Sequence, residues 1–299
     1  MKPMRSVLFV PGHRETWPAK AVAAGTDGVI LDLEDSVPFD QKEAARDITA
    51  ASIAALATGS PRIGVYVRVN AFETGMTGDD LEKILIPGLD GVVLPKNYGA
   101  RDIIALDALI THFERRNQLE AGSVQIVPSL ETAQSYAECE KMLAASPRVS
   151  TLNAGTAKDA DVSRSIGFQF TPKGLETLYL RSRAVLACRA AGRNFPWIGV
   201  WQDLNDPEGA RYHFEQNRQL GFMTQVLIHP SHIALANEIF MPSEQEVIFY
   251  RGMIEAFDGA LEKGAAAVLY EGQHIDYAHV KTAREVLSLH EALSANSAQ

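Results

Sequence analysis

The chain has 299 residues, of which 46% are hydrophobic and 22% charged, enough for a large core and for one barrel of about 250 residues with an appendage. Its formal net charge of −9 and pI near 5.4 exclude the basic excess of a phosphate-reading surface, so no nucleic-acid partner is expected, and an anionic ligand would need locally placed cations. The two cysteines, Cys139 and Cys188, have no metal or disulfide spacing, which suits a reducing cytoplasm.

In chain order, the first apolar run, Ser6–Val10, ends in Pro11-Gly12 and is too short for a signal peptide or a membrane span. Seven more runs of strand length follow: Gly28–Leu33, Gly64–Val69, Gly91–Pro95, Val124–Pro128, Val149–Ala154, Ile198–Gln202 and Gln225–Ile228. Most are continuous rather than alternating, as strands covered on both faces should be. Segments with helical spacing lie between them: Thr16–Ala24, Gln41–Ala57, Arg101–Arg116, Thr132–Ala145, Lys173–Ala191 and Pro207–Leu220, the last opened by the Asp206-Pro207 start signal. Strand–helix alternation through eight strands predicts a closed (β/α)8 TIM barrel over residues 1–240. The remainder, 241–299, is predicted as a C-terminal helical extension serving as lid or oligomer arm, with helices at Glu244–Lys263 and Ala278–Leu293 and a frayed end from Ser294. No G-x-G-x-x-G follows a strand and no phosphate-loop motif occurs.

Active sites of such barrels gather at the carboxyl ends of the strands. Polar residues fall there: Asp32, Glu34 and Asp35 after strand two, Arg68 and Asn70 at strand three, Lys96 after strand four, and Glu131 after strand five. Lys158, Asp159 and Asp161 follow strand six, Asp203 strand seven and His229 strand eight. Carboxylates from neighbouring strands, with no histidine or cysteine cluster, suit Mg2+, and Glu131 with Asp159 is the expected ligand pair, Asp161 standing in reserve. Alternatively Glu131 caps the following helix and the aspartates are solvated loop acids. Arg68, inside an apolar run, either grips a carboxylate or enolate oxygen or forms an internal salt bridge to Asp32 or Glu34. Lys96 is similarly placed, though an acidic mouth would favour its charged form over a nucleophilic amine. Gly12 could let the backbone approach a ligand or simply turn the chain, and His229 could contact a ligand or belong to a turn.

Several blocks in this order resemble the citrate lyase beta subunit and its relatives, the malyl-CoA and citramalyl-CoA lyases, within the HpcH/HpaI aldolase-like group. They are Arg5-Ser6-Val7-Leu8-Phe9-Val10-Pro11-Gly12, Leu31-Asp32-Leu33-Glu34-Asp35-Ser36-Val37, Val67-Arg68-Val69-Asn70, Leu94-Pro95-Lys96 and Leu130-Glu131-Thr132-Ala133, then Ile228-His229-Pro230-Ser231 and Gly272-Gln273-His274-Ile275-Asp276. The resemblance covers nearly the whole chain. It implies Mg2+ held by Glu131 and an aspartate after strand six, with Arg68 on the substrate. It also implies Asp276 as acid/base, carried on a C-terminal lid over a neighbouring subunit of a homo-oligomer, trimer or hexamer.

The implied reaction is Mg2+-dependent carbon–carbon cleavage of a 3-hydroxyacyl-CoA-type thioester to an acyl-CoA and an oxoacid. Pro11, Gly12, Lys96 and His229 would line the substrate, while Glu34 and Asp32 would orient Arg68 and water near the metal. Thioester hydrolysis or synthesis on the same scaffold, a CoA-free oxoacid aldolase, and a non-catalytic subunit of an acyl-carrier complex are the alternatives. One departure is visible. The family's second metal ligand falls three residues after the glycine that follows strand six, where this chain has Lys158.

Overall fold

A computed structural model describes residues 1–297. These fall into two compact units, Met1–Phe240 and Met241 onward. In the first unit eight parallel strands close on themselves in sequence order, β8 pairing back to β1. They are β1 Ser6–Pro11, β2 Gly28–Asp32, β3 Gly64–Arg68, β4 Gly91–Leu94, β5 Gln125–Leu130, β6 Asn153–Ala154, β7 Trp197–Ile198 and β8 Thr224–Leu227. The (β/α)8 TIM barrel follows directly: each stave is a run of mainly buried residues, and helices fill the crossovers.

Side chains alternate between the two faces of each stave. One set, including Leu8, Val29, Leu31, Val65, Val67, Val92 and Leu94, packs in the core shared with the helices. The other set points inward: Val7, Ile30, Tyr66, Val93, Val127, Trp197 and Val226 fill the lower barrel, with Tyr66 and Trp197 edge to face at 4.9 Å. Two residues further along β2 and β3 the same inward face carries Asp32 and Arg68, so a charged layer lies directly above an apolar plug.

Departures from the sequence reading concentrate after β5. The segment Thr132–Ala145 breaks into helices Ala133–Ala137 and Cys139–Ala145, the first held by a capping box between Thr132 and Ser135. β6 and β7 have only two residues each, Val149 reaching the sheet through a lone bridge to Ile126. Short helices at Thr77–Ile84, Asp161–Ile166 and Ile233–Ile239 were not foreseen.

The second unit pairs helix Glu244–Leu261 with helix Tyr277–Ser297 around Met253, Phe257, Ile275, Val280 and Ala283. Between the helices, Val268–Tyr270 and Gln273–Ile275 form an antiparallel hairpin. The segment read as frayed from Ser294 is helical to Ser297, and Ala298 and Gln299 lie outside the described residues. Among the described residues no helix is long and apolar enough to cross a membrane.

Candidate active site

The mouth of the barrel holds a cavity of about 620 Å3. Asp32, Arg68, Glu131 and Asp161 face it together with Pro11 and His229. Arg68 is held from several sides. Its Nε and Nη2 donate to the two oxygens of Asp32 at 2.7 and 2.8 Å, its Nη1 lies 3.1 Å from Glu34, and its guanidinium sits 4.8 Å from the centre of the Phe9 ring. Burial alone would lower the Arg68 pKa, but Asp32, Glu34 and Glu131 reverse the direction and fix the charge. Burial likewise pushes Asp32 up, yet Arg68, with hydrogen bonds from Ser36 and Glu34, brings it down to about 2. The salt-bridge reading of Arg68 therefore holds, and the guanidinium still faces the cavity.

Glu34 and Lys96 stand behind this wall rather than on it. Lys96 Nζ bridges Glu34 at 2.7 Å and Asp35 at 2.9 Å. Burial lowers the lysine, and the two carboxylates more than restore it, which removes the free amine a Schiff base needs. Burial raises Glu34 despite its two cations. Lys42 donates to the carbonyls of Leu33 and Glu34 and to Asn70, pinning the loop that presents Glu34.

Glu131 follows the last residue of β5. Its Oε2 accepts the Lys96 backbone N–H at 3.1 Å, and among the described residues no cationic side chain forms an ion pair with it. Withdrawal from water raises its pKa to about 7, Arg68 opposing and the Glu34 and Asp161 charges adding. A carboxylate held against its own ionisation beside two other acids is suited to a cation.

The two aspartates after β6 separate. Asp159 sits exposed at φ 53° in a turn and does not line the cavity, so the preferred ligand of the sequence reading is displaced. Ala160 then runs extended and Asp161 opens the helix Asp161–Ile166, which turns its carboxylate to the cavity, where Arg164 also pairs with it. Among the described residues no three His, Cys, Asp or Glu side chains cluster as a ready-made metal site. Two carboxylates facing one cavity still fit Mg2+, which takes one or two protein carboxylates and completes its shell with water or substrate. Asp161→Asn is expected to weaken Mg2+ binding at least roughly tenfold and Asp159→Asn to leave it unchanged, as titration calorimetry with MgCl2 would measure. Equal effects would reject the assignment.

The other candidate residues differ in position. Gly12 is buried against β2, donating to the Asp32 carbonyl at 2.7 Å, and a Cβ there would meet Thr49 Oγ1 at 2.6 Å; it is a packing glycine, and Pro11 beside it lines the cavity. His229 lines the cavity but its Nδ1 accepts the Ser231 N–H, so it also caps the turn at Pro230–His232. Arg5, which opens the first resembling block, is held at the opposite end of the barrel by Asp27. Asp276 belongs to the second unit, where it begins helix Tyr277–Ser297; its Oδ1 lies 2.7 Å from His279 Nδ1, and that contact holds its pKa below the usual carboxylate range.

Sequence reading missed Asn153, Thr156, Trp17 and Lys20, all on the cavity wall. Asn153 carried a signal, a polar residue inside an otherwise apolar run.

Residues 5–230 match the HpcH/HpaI aldolase/citrate lyase family. The chain is 36% identical to a citrate lyase subunit beta-like protein of Deinococcus radiodurans over 97% of this chain and 98% of that protein. It is 33% identical to an L-malyl-CoA/beta-methylmalyl-CoA lyase of Cereibacter sphaeroides, over 98% and 96%. The CitE protein of Mycobacterium tuberculosis, solved with magnesium, acetoacetate and coenzyme A, superposes with a TM-score of 0.72 at 27% identity, covering 97% of this chain and 98% of that one. The chain thus belongs to the HpcH/HpaI aldolase/citrate lyase family of carbon–carbon lyases.

Proposed function

We propose that the protein cleaves a 3-hydroxyacyl-CoA-type thioester to an acyl-CoA and a 2-oxoacid in a Mg2+-dependent reaction. The supporting observation is that Arg68, clamped by Asp32 and Glu34, shares one cavity with Glu131, a carboxylate that lacks an ion-pair partner among the described residues. Glu131 and Asp161 would hold the metal, which when bound supplies Lewis-acid polarisation of the oxoacid half. Arg68 offers its guanidinium to the oxygen on which charge develops as the carbon–carbon bond breaks. The hydroxyl gives its proton to a carboxylate base as its carbon becomes the oxoacid carbonyl. The bonding pair passes to the thioester as an enolate, and a proton delivered to carbon completes the acyl-CoA.

Asp276 is our candidate acid/base, by resemblance: ionised beside His279, it takes the hydroxyl proton and returns it to carbon, with the C-terminal unit acting as a lid within a homo-oligomer in the cytoplasm. Lys20 and Trp17 on the cavity wall, with Arg14 stacked 5.3 Å from the Trp17 ring, offer local charge and a flat apolar surface for a coenzyme A moiety on an otherwise acidic protein.

The test is product analysis with malyl-, citramalyl- and citryl-thioesters, with and without Mg2+. Acyl-CoA plus oxoacid is the expected outcome. Free CoA without acyl-CoA would convert the reading to hydrolysis, and absence of turnover with every thioester would reject catalysis by the isolated chain.

A further inference from the structure

The two carboxylates assigned to the metal stand on parts of the chain of unequal firmness. Glu131 follows β5 at once and accepts the Lys96 N–H at 3.1 Å. It leads into Thr132, whose hydroxyl donates to the Asn97 carbonyl at 3.2 Å and whose capping box with Ser135 closes the first turn of helix Ala133–Ala137. Asp161, in contrast, opens a helix of six residues that has no side-chain cap at its start. On either side of it, residues 155–160 and 167–174 form no strand or helix. A helix this short does not hold itself in water, so its place at the mouth is set by what it touches.

Its side chains divide by what they reach. Val162 is buried in the core shared with the barrel helices. The Ser163 hydroxyl donates to the Ala160 carbonyl at 2.8 Å and Arg164 pairs with Asp161, so both of these bonds close within the helix and its cap. Ser165 reaches another element: its Oγ accepts the Ala133 N–H at 2.9 Å. Ala133 is the first residue of its own helix, where no residue of that helix can take up the N–H.

Asp161 and Ser165 are four residues apart and therefore lie on the same side of their helix. The Ser165 bond closes a ring of chain through both carboxylates, from Glu131 to Ala133, across to Ser165, and back one turn to Asp161. We infer that Ser165 is a positioning residue that fixes the separation of Glu131 and Asp161 for a divalent cation. This rests on the metal assignment above and adds the contact that preorganises it. Without the bond the ion must order the Asp161 helix as it binds, and that cost appears as weaker binding.

The full-length metal-free protein is titrated with MgCl2 by calorimetry, and turnover is followed over a range of MgCl2 concentrations. Ser165→Ala should weaken Mg2+ binding roughly three- to tenfold, the worth of one such hydrogen bond, and the turnover it loses at low Mg2+ should return as MgCl2 is raised. Ser165→Thr keeps the hydroxyl and should bind Mg2+ within about twofold of wild type. Combined with Asp161→Asn, which already removes the ligand, Ser165→Ala should cost less than about twofold more. The Ala133 N–H is at the surface and takes a water in place of the hydroxyl, so the unfolding temperature of metal-free Ser165→Ala should stay at the wild-type value.

A Ser165→Ala protein that binds Mg2+ as tightly as wild type, while Asp161→Asn binds it weakly, overturns the inference and leaves the metal assignment standing. An equal loss in Ser165→Thr, or a full further loss on top of Asp161→Asn, also overturns it. If Asp161→Asn binds Mg2+ like the wild type, the metal assignment itself is rejected and the inference falls with it.

Discussion

Replacing Glu131 with glutamine is expected to abolish Mg2+-dependent turnover, by at least about 10^3-fold, and at the same time to stabilise the metal-free protein above neutral pH. The first effect follows from removing a charge the metal needs. The second follows from linkage. Burial raises Glu131 from 4.5 to about 7, so the folded protein binds this proton more tightly than the unfolded chain does. Stability from this group is fully present below pH 4.5 and is lost as pH rises through 7. At pH 8 the metal-free wild type should carry a penalty of up to about 3 kcal/mol, reduced by water in the partly open cavity. Glutamine keeps the shape without the charge. Urea unfolding at pH 5 and pH 8, with and without MgCl2, would show a wild type that weakens at the higher pH and recovers with the metal, and a Glu131→Gln protein that does neither. A variant still shifted by Mg2+ would sink the ligand assignment.

Arg68→Met should be the most destabilising single change at the mouth, by about 3–5 kcal/mol at pH 7, because it leaves Asp32 and Glu34 buried without their shared cation. The sign with pH is opposite to that of Glu131. In the wild type Asp32 is held at about 2, so its contribution is present above 3.8 and disappears only as pH falls through 2. Without the guanidinium the carboxylates would prefer their protons, and the deficit of the variant should shrink under acid. Arg68→Met combined with Asp32→Asn should recover part of the loss, as a double-mutant cycle would measure. Arg68→Lys keeps a charge but cannot span both oxygens of Asp32; a fall in kcat of roughly 100-fold or more with most stability retained is expected. If Arg68→Met unfolded at the same urea concentration as wild type, the clamp would have no energetic role.

The barrel was legible because its staves are covered on both faces and stand out as uninterrupted apolar runs, and the polar residues ending those runs are the ones that meet at the mouth. Arg68, Asp32, Glu131 and His229 were placed at the mouth by that logic, and Pro11 by the family resemblance. It weakened where the chain leaves the sheet early. β7 ends at Ile198, because Gly199 and Val200 already line the cavity and Trp201 packs in a loop, its Nε1 bonded to the Asp203 carbonyl. The apolar character that suggested a longer strand is the character of a buried loop. Between Asp159 and Asp161 the sequence offers no distinction, since the choice depends on a positive φ at one residue and a helix start at the other. Gly12 was ambiguous for a similar reason: the need for space comes from Thr49, far away in sequence. The hairpin at Val268–Ile275 was hidden because it buries little beyond Ile275.

The unequal length of the staves divides labour within the enzyme. β2, β3 and β5 run five or six residues and carry Asp32, Arg68 and, at once after β5, Glu131, so the groups proposed to act in cleavage are anchored on the longer staves. β6 and β7 are two-residue stubs, and the wall from Asn153 to Val162 and from Gly199 to Val200 is mostly turn and loop. Amino-acid changes on the stub side can remodel what fits without disturbing the staves that carry Asp32, Arg68 and Glu131. Lineages of this barrel should therefore diversify their diet on one flank of the mouth while the opposite flank stays chemically still.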